Sequence, residues 1–267
     1  MLALIRGAGD LASGIALRLW HSGVAVVMTE IERPTAIRRT VAFAEAVTNG
    51  SWTVEDVTAR RASDGAEARR LLEEGILPVL VDPLCACRTE LRPDVVVDAI
   101  LAKRNLGTRI TDAPVVIGVG PGFTAGEDCH AVVETMRGHT LGRAIYHGMA
   151  QANTNIPGLI GGFAGERVLR APADGVVRGI RQIGDRVEAG DTVGYVAGEP
   201  MVCTVGGVIR GLLADGVAVR KGMKSGDVDP RSEAAYCRTC SDKALAVGGG
   251  VLEAILRLSG ALAGKTE

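Results

Sequence analysis

The sequence predicts an α/β protein: a parallel sheet layered with helices, followed by a small β-domain. Three observations carry this. A short apolar run (2–6), a glycine turn, an amphipathic stretch and a second apolar run (24–29) open the chain. Apolar runs and helical spacings then alternate as far as residue 123. Beyond residue 165 the helical period fades, and two glycine-rich phrases repeat one another.

The first unit is the most informative. Residues LALIR (2–6) read as a strand, DLASGIALRLWHSG (10–23) as a helix, and VAVVMT (24–29) as a strand ending at Glu30. The turn between them, Gly7-x-Gly9-x-x-Ala12 with an acid about 20 residues on, fits the Ala variant of the Rossmann fingerprint. Gly7 allows a sharp turn. Gly9 leaves room for a diphosphate against the main chain, and Ala12 lets the helix pack on the sheet. Gly7, Ala8, Gly9, Asp10 and Leu11 would then present helix N–H groups to an anion, and Glu30 would accept hydrogen bonds from a ribose. Asp10 opposes this, because its charge repels a diphosphate unless it caps the helix.

The alternation continues. Pro34 predicts the start of a helix running toward Gly50, with Arg38 and Arg39 either on a solvated face or reaching a phosphate or carboxylate. Residues 53–59 read as a short strand. Asp64 and Glu67 form a capping box for a helix that stops at Gly75. Residues 76–81, 95–100 and 115–119 read as strands. Ligands in open parallel sheets bind beyond the carboxyl ends of the strands. Asp82, Asp98 and the loop GVGPGF (118–123) fall there, with Gly118, Gly120 and Gly122 as candidate donors of backbone N–H groups. Asp82, before Pro83, reads more simply as a cap.

Composition narrows the function classes. Hydrophobic residues make up 47% of the 267 residues and aromatics 3%, so the core is built from Val, Leu, Ile and Ala, which suits a parallel sheet. Net charge is -1, and no basic run is present, which argues against a nucleic-acid partner. No apolar stretch matches a bilayer span. The start lacks a basic region ahead of its apolar run, as a signal peptide would have. The expectation is a cytoplasmic protein with reduced thiols at its six cysteines.

The expected organisation is a dinucleotide-binding-type domain (1–165), a glycine-rich β-domain (166–232) and a C-terminal helical segment (233–267) packing back on the first domain. Residues 150–165 read as the connection. The repeated phrases, 170–196 and 204–230, resemble the two halves of the barrel-sandwich hybrid of biotinyl and lipoyl carriers. Their join, AGEPMVC (197–203), has no lysine to modify, which argues against a carrier. Ser241-Asp242-Lys243-Ala244 looks like a lipoyl motif but lies after both halves, at the start of a helix.

Six longer phrases resemble one family: RGAGDLASGIALRL (6–19), MTEIERPTAIRRTVAFAEAV (28–47), VDAILAKRN (97–105), GVGPGFTAGEDCHAVVETMRGHTLGR (118–143), IRGLLADGVAVRKGMKSGDVDPR (209–231) and SDKALAVGGGVLEAI (241–255). They are similar to the YqeB family, the selenium-dependent molybdenum hydroxylase system proteins. Cys240 departs from that resemblance, where an aliphatic residue is expected. The resemblance implies an accessory or maturation role, with a molybdenum hydroxylase or its maturation proteins as partner. It implies a pathway rather than a reaction, so whether the chain is an enzyme stays open.

Three functions remain. The first is a maturation factor that binds a dinucleotide, such as a molybdopterin dinucleotide. The second is an NAD(P)-dependent oxidoreductase, for which the chain shows no His–Lys–Tyr constellation. The third is a non-catalytic scaffold. A homo-oligomer is compatible with each. Among the thiols, Cys85-Ala-Cys87 and Cys237-Arg-Thr-Cys240 could together hold zinc or act in redox chemistry, though buried hydrophobes are the simpler reading. No metal ligand set is assigned. Cys240, near a helix start, is expected to have a lowered pKa. Cys129 and His130, adjacent in a strand, would point to opposite faces.

Overall fold

The computed structural model describes residues 1–154 and 156–262. Residue 155 of the expected connection and residues 263–267 of the C-terminal segment lie outside them. The first part of the chain runs β1 (Leu2–Arg6), α1 (Asp10–His21), β2 (Ala25–Glu30), α2 (Glu45–Asn49), β3 (Ser51–Val54), β4 (Val57–Ala62), α3 (Gly65–Glu73), β5 (Leu77–Val81), α4 (Arg88–Leu91), β6 (Val95–Asp98) and β7 (Val115–Val119). Five short strands follow: β8 (Thr124–Ala125), β9 (Ala131–Val133), β10 (Ala144–Ile145), β11 (Gly148–Met149) and β12 (Val168–Arg170).

Among the described residues, nine strands form one mixed sheet in the order β10-β9-β7-β6-β1-β2-β5-β4-β3. The strands from β4 to β9 in that order are parallel, and β3 and β10 add antiparallel edges. The sheet is therefore mixed where the sequence suggested a parallel one. The expected strand at 53–59 is a hairpin instead, turned at Glu55, a non-glycine residue with φ of 54°. After β1 the chain moves to β2 on one side and later to β6 on the other. The carboxyl end of β1 thus lies at a switch in strand order, where crevices open in such sheets.

Each face of the sheet has its own core. Alternate residues of β1 divide between them: Ala3 and Ile5 face α1, and Leu4 faces α3. The capping box holds as expected, with Asp64 accepting the Glu67 N–H at 2.8 Å. The helix expected from Pro34 does not form; a single 3-10 turn at Arg39–Val41 and α2 stand in its place. Residues Val41 to Val47 are all buried, and their main chain is tied to α1 and to the turn before it. Ala44 donates to the Ala8 carbonyl at 2.9 Å, and Phe43 donates to Ser13 Oγ at 2.9 Å. Tertiary hydrogen bonds have replaced the helical ones.

The second part contains β13 (Gly175–Gly179), β14 (Arg186–Val187), β15 (Thr192–Val196), β16 (Glu199–Val202), β17 (Gly207–Leu212), β18 (Ala218–Val219) and β19 (Lys224–Asp229). They build two four-stranded antiparallel sheets, β12-β19-β17-β14 and β16-β15-β13-β18. The repeated phrases explain the pairing. Each contributes three strands, the first and third of which pair together, while the second crosses to the other copy: β14 to β17 and β18 to β13. Helix α5 (Asp242–Ser259) follows and lies along α1. No helix among the described residues is long and apolar enough to cross a membrane.

The contact between α1 and α5 is unusually close. A methyl group at Gly14 would lie 2.6 Å from Ala244 Cβ, and one at Gly248 would lie 2.8 Å from the Gly14 carbonyl. The matching of 14 with 244 and of 14 and 18 with 248 means that the helices run in the same sense. Gly14→Val should cost about 1–3 kcal/mol through overpacking. Gly249→Ala, on the open side of α5 with nothing within 4 Å, should stabilise by about 0.5–1 kcal/mol. Urea unfolding of both variants checks the pair.

Candidate functional site

The carboxyl end of β1 gathers six of the residues singled out in the sequence. Gly7 adopts φ of 95°, and a methyl group there would sit 3.0 Å from the Ala99 carbonyl oxygen. Glycine is required by both the turn and the approach of 99–100. Gly9 is the N-cap of α1, no side chain caps the helix, and the direction a Cβ would take is open to 4 Å. The start of α1 therefore has no side-chain cap, and there is room beside Gly9. Asp10 does not cap; its carboxylate lies 3.8 Å from the buried Arg38. Leu11 is buried in the core. Glu30 braces the turn by accepting Ala8 N–H at 2.9 Å and Ile31 N–H at 2.8 Å. Burial pushes its carboxyl above the usual range, against those two hydrogen bonds. Each oxygen keeps one further lone pair.

A dense set of charges adjoins this turn. The shared direction of α1 and α5 brings their N-termini together at one edge of the sheet. The start of α5 is satisfied: Ser241 Oγ accepts the Ala244 N–H, and Asp242 binds Arg137 at 2.7 and 2.8 Å. Residues 167–231 add four ion pairs. Buried Asp227 accepts from Arg167 and from Arg210 (2.6 Å), and Asp229 accepts from Arg210 (3.1 Å) and Arg231 (2.6 Å). Glu134 is held by the N–H groups of Thr135, Met136 and Gln151 at 2.7–2.8 Å.

Two cations are left over. Among the described residues, neither the Lys224 nor the Lys243 ammonium group has a hydrogen bond or an ion pair. Both feel Asp10, and each lies within electrostatic reach of the other. Desolvation lowers both ammonium pKa values, although Lys224 keeps an exposed face. An uncapped helix start beside two unpaired, partly desolvated ammonium groups is suited to an anion. The lysines were not singled out in the sequence. Their phrases, KSGDVD and SDKA, read as a Gly-Asp turn and a chance likeness to a lipoyl motif, and nothing in them locates a cleft.

The remaining candidates serve the fold. Asp98 is buried, binds Arg6 at 3.0 Å, and accepts from Thr108 Oγ1 at 2.6 Å and Ile100 N–H at 3.2 Å. Gly118 makes room for the Phe123 ring, Gly120 for Thr135 and Gly122 for the main chain at Arg104. The Gly120 N–H is already taken by the Val133 carbonyl at 2.9 Å. Loop 118–123 is thus a packed turn. Asp82 caps its own loop by accepting the Cys87 N–H at 2.7 Å. Arg38 donates to the carbonyls of Tyr236 and Thr239, and Arg39 to that of Leu212, so this pair ties the first part of the chain to the second.

The thiols divide sharply. No group of three or more His, Cys, Asp and Glu suited to a metal ion occurs among the described residues, so the four-cysteine zinc reading has no centre. Cys240 precedes the cap of α5, but burial, with Glu55 beside it, pushes its thiol up to about 12. The expectation of a lowered value fails because desolvation outweighs the helix end. Cys129 is pushed up to about 11 by burial, and His130 Nδ1 accepts the Val116 N–H at 3.0 Å.

Two measurements check these assignments. Asp98→Ala should destabilise by about 3–5 kcal/mol, because it strands buried Arg6; chemical denaturation reads this. The hydrogen bond from Arg137 holds the Asp242 carboxyl at about 2. The stability it confers is present above the unfolded carboxylate value and is lost as the pH falls through about 2. The exposed pair contributes no more than about 1 kcal/mol. Arg137→Met should return the Asp242 titration to the ordinary range by NMR.

No family model matches the chain. Among solved structures, an aspartoacylase family protein from Mesorhizobium loti MAFF303099 aligns at 12% identity over 85% of this chain and 84% of that one, with a TM-score of 0.28. A succinylglutamate desuccinylase/aspartoacylase from Rhodobacter sphaeroides aligns at 15% identity over 85% of each chain, with a TM-score of 0.27. Scores this low carry no argument. The chain is also 57% identical over 257 residues to "Uncharacterized protein YqeB" of Escherichia coli (strain K12), a match that covers 96% of this chain and 48% of that protein. The chain thus spans about half the length of the curated relative it matches. That identity, sustained over nearly all of this chain, supports its membership of the YqeB family.

Proposed function

We propose that the chain binds an anionic, dinucleotide-type cofactor and acts as an accessory or maturation protein for a selenium-dependent molybdenum hydroxylase. One observation carries the binding: the open, uncapped start of α1 at Gly9 adjoins Lys224 and Lys243, two cations with no ion pair among the described residues. The pathway rests on the family resemblance alone. In this reading β1, α1 and β2 act as a Rossmann-type unit whose turn receives the diphosphate. Glu30 offers its remaining lone pairs to a ribose. The two four-stranded sheets act as a barrel-sandwich-type wall that brings Lys224 to the cleft. A molybdopterin dinucleotide is the ligand of choice, and NAD(P) is the rival.

Thermal-shift and calorimetric titration of the full chain with NAD, NADP, CTP and molybdopterin species tests this. A true ligand at about a hundred times its Kd should stabilise the fold by about 2.7 kcal/mol. Gly9→Val and Lys243→Ala should each weaken binding about tenfold or more, about 1.4 kcal/mol, while leaving the unfolding midpoint of the free chain nearly unchanged. Asp10→Asn should strengthen it. Affinity should fall with added salt and as the pH rises through the titration of the lysines. Stabilisation by none of the ligands would favour the scaffold reading. Tight NAD(P) binding with hydride turnover would favour the oxidoreductase.

A further inference from the structure

The opposite face of the sheet carries a second feature, independent of the α1 cleft. A cavity of about 190 Å³ opens at the carboxyl ends of β1 and β5. Arg6, Cys85, Arg88 and Asp112 line it, with the exposed Leu84 and Leu106 beside them. Arg6 is 4% exposed, and its Nε is buried without a hydrogen-bond partner. A residue that lines the cavity thus carries a buried donor without a partner, which is rare among buried polar groups.

The loop after β5 sets Cys85 in this cavity. Cys85 adopts φ of 55°, an uncommon conformation for a residue with a side chain. The conformation is enforced from several sides. Asp82 N–H donates to the Glu30 carbonyl at 3.0 Å. Cys85 N–H donates to the Asp82 carbonyl at 3.1 Å. Arg88 donates to the Cys85 carbonyl at 2.9 Å. The Asp82 carboxylate, which accepts the Cys87 N–H, closes the loop. The Cys87 side chain lies two residues on and interacts with that of Cys85. That interaction, helped by Arg6 and Arg88, holds the Cys85 thiol below its ordinary value against burial, and it drives the Cys87 thiol up. Of the two thiols, Cys85 is the one favoured to ionise. Cys129, Cys203 and Cys240 have the opposite environment, and burial pushes each of them up.

We propose that Cys85 and Cys87 form a dithiol exchange centre that reacts with a low-molecular-weight disulfide entering this cavity, with Cys85 attacking and Cys87 resolving. In the first step the Cys85 thiolate attacks one sulfur of R–S–S–R. The S–S bond breaks, one R–S⁻ leaves, and a mixed disulfide forms on Cys85. In the second step Cys87 gives up its proton and attacks Cys85 Sγ, expelling the second R–S⁻. The dithiol is oxidised to a Cys85–Cys87 disulfide, and R–S–S–R is reduced to one R–SH, which takes the Cys87 proton, and one R–S⁻.

The test uses the reduced full chain with 2-hydroxyethyl disulfide at neutral pH, quenched at intervals with N-ethylmaleimide and mapped by peptide mass spectrometry. The wild-type chain should yield a Cys85–Cys87 disulfide at least tenfold faster than Cys129 or Cys203 is modified. Cys87→Ser should stop at the mixed disulfide on Cys85, and Cys85→Ser should leave Cys87 unreacted. The wild-type rates need no variant, so a failure of either mutant to fold does not affect them. Modification of Cys85 no faster than that of Cys129 and Cys203, or only in denaturant, would overturn the proposal. So would first attack at Cys87. None of these outcomes bears on ligand binding at Gly9.

Discussion

Gly14 and Gly248 let α1 and α5 approach until main chain meets side chain, and the layout of the sheet's carboxyl edge follows from that contact. Larger residues would hold the helices apart and shift the start of α5 relative to the start of α1. With the contact made, the two N-termini lie together and Lys243 stands near Asp10. The positive ends of two helix dipoles then point into one region. At α5 this potential is answered by Ser241 and Asp242. At α1 no cap is supplied, and Asp10 turns to Arg38.

The β-domain is bound to this edge by charge as well as by packing. Arg38 and Arg39 reach carbonyls of the second part of the chain, and Ile37 accepts the Leu212 N–H at 2.9 Å. Around them Arg167, Arg210, Asp227 and Asp229 are buried together. Buried ion pairs of this kind are weak contributors to net stability, because desolvation offsets their attraction. Their effect here is geometric. They consume the carboxylates nearest the cleft and so leave Lys224 and Lys243 unpaired. The charge of the cleft is set by which partners are already taken.

The sheet separates two chemistries. On the α1 face, an uncapped helix start lies near two ammonium groups. On the α3 face, Arg6 and Asp98 form a buried pair beside a cavity whose distinctive group is a sulfur. Both lie at carboxyl ends of parallel strands, where the neighbouring segments diverge and leave room. Arg6 and Ile5 are adjacent in β1, yet they belong to different faces, and so to different sites.

The local elements were legible in the sequence wherever the signal was local. The β1–α1–β2 unit, the cap at Asp64, the strand at 115–119 and the helix beginning near 242 follow from apolar period and capping chemistry, and they fall within a few residues of where the chain places them. The doubling of the β-domain was visible in its repeated phrases. What the sequence could not determine depended on partners distant along the chain. Residues 34–50 carry a helical pattern, but the burial of 41–47 and hydrogen bonds to Ala8 and Ser13 override it. Asp98 and Gly118–Gly122 stand at strand ends as a ligand site requires, but Arg6, Phe123 and the main chain at Arg104 occupy them. Lys224, Lys243 and the Cys85 thiol acquire their character from desolvation and from charges brought near by folding. The sequence alone therefore determined the elements and the glycine turn. The tertiary structure decided which donors remain free, because a group's availability depends on what else has already bonded to its neighbours.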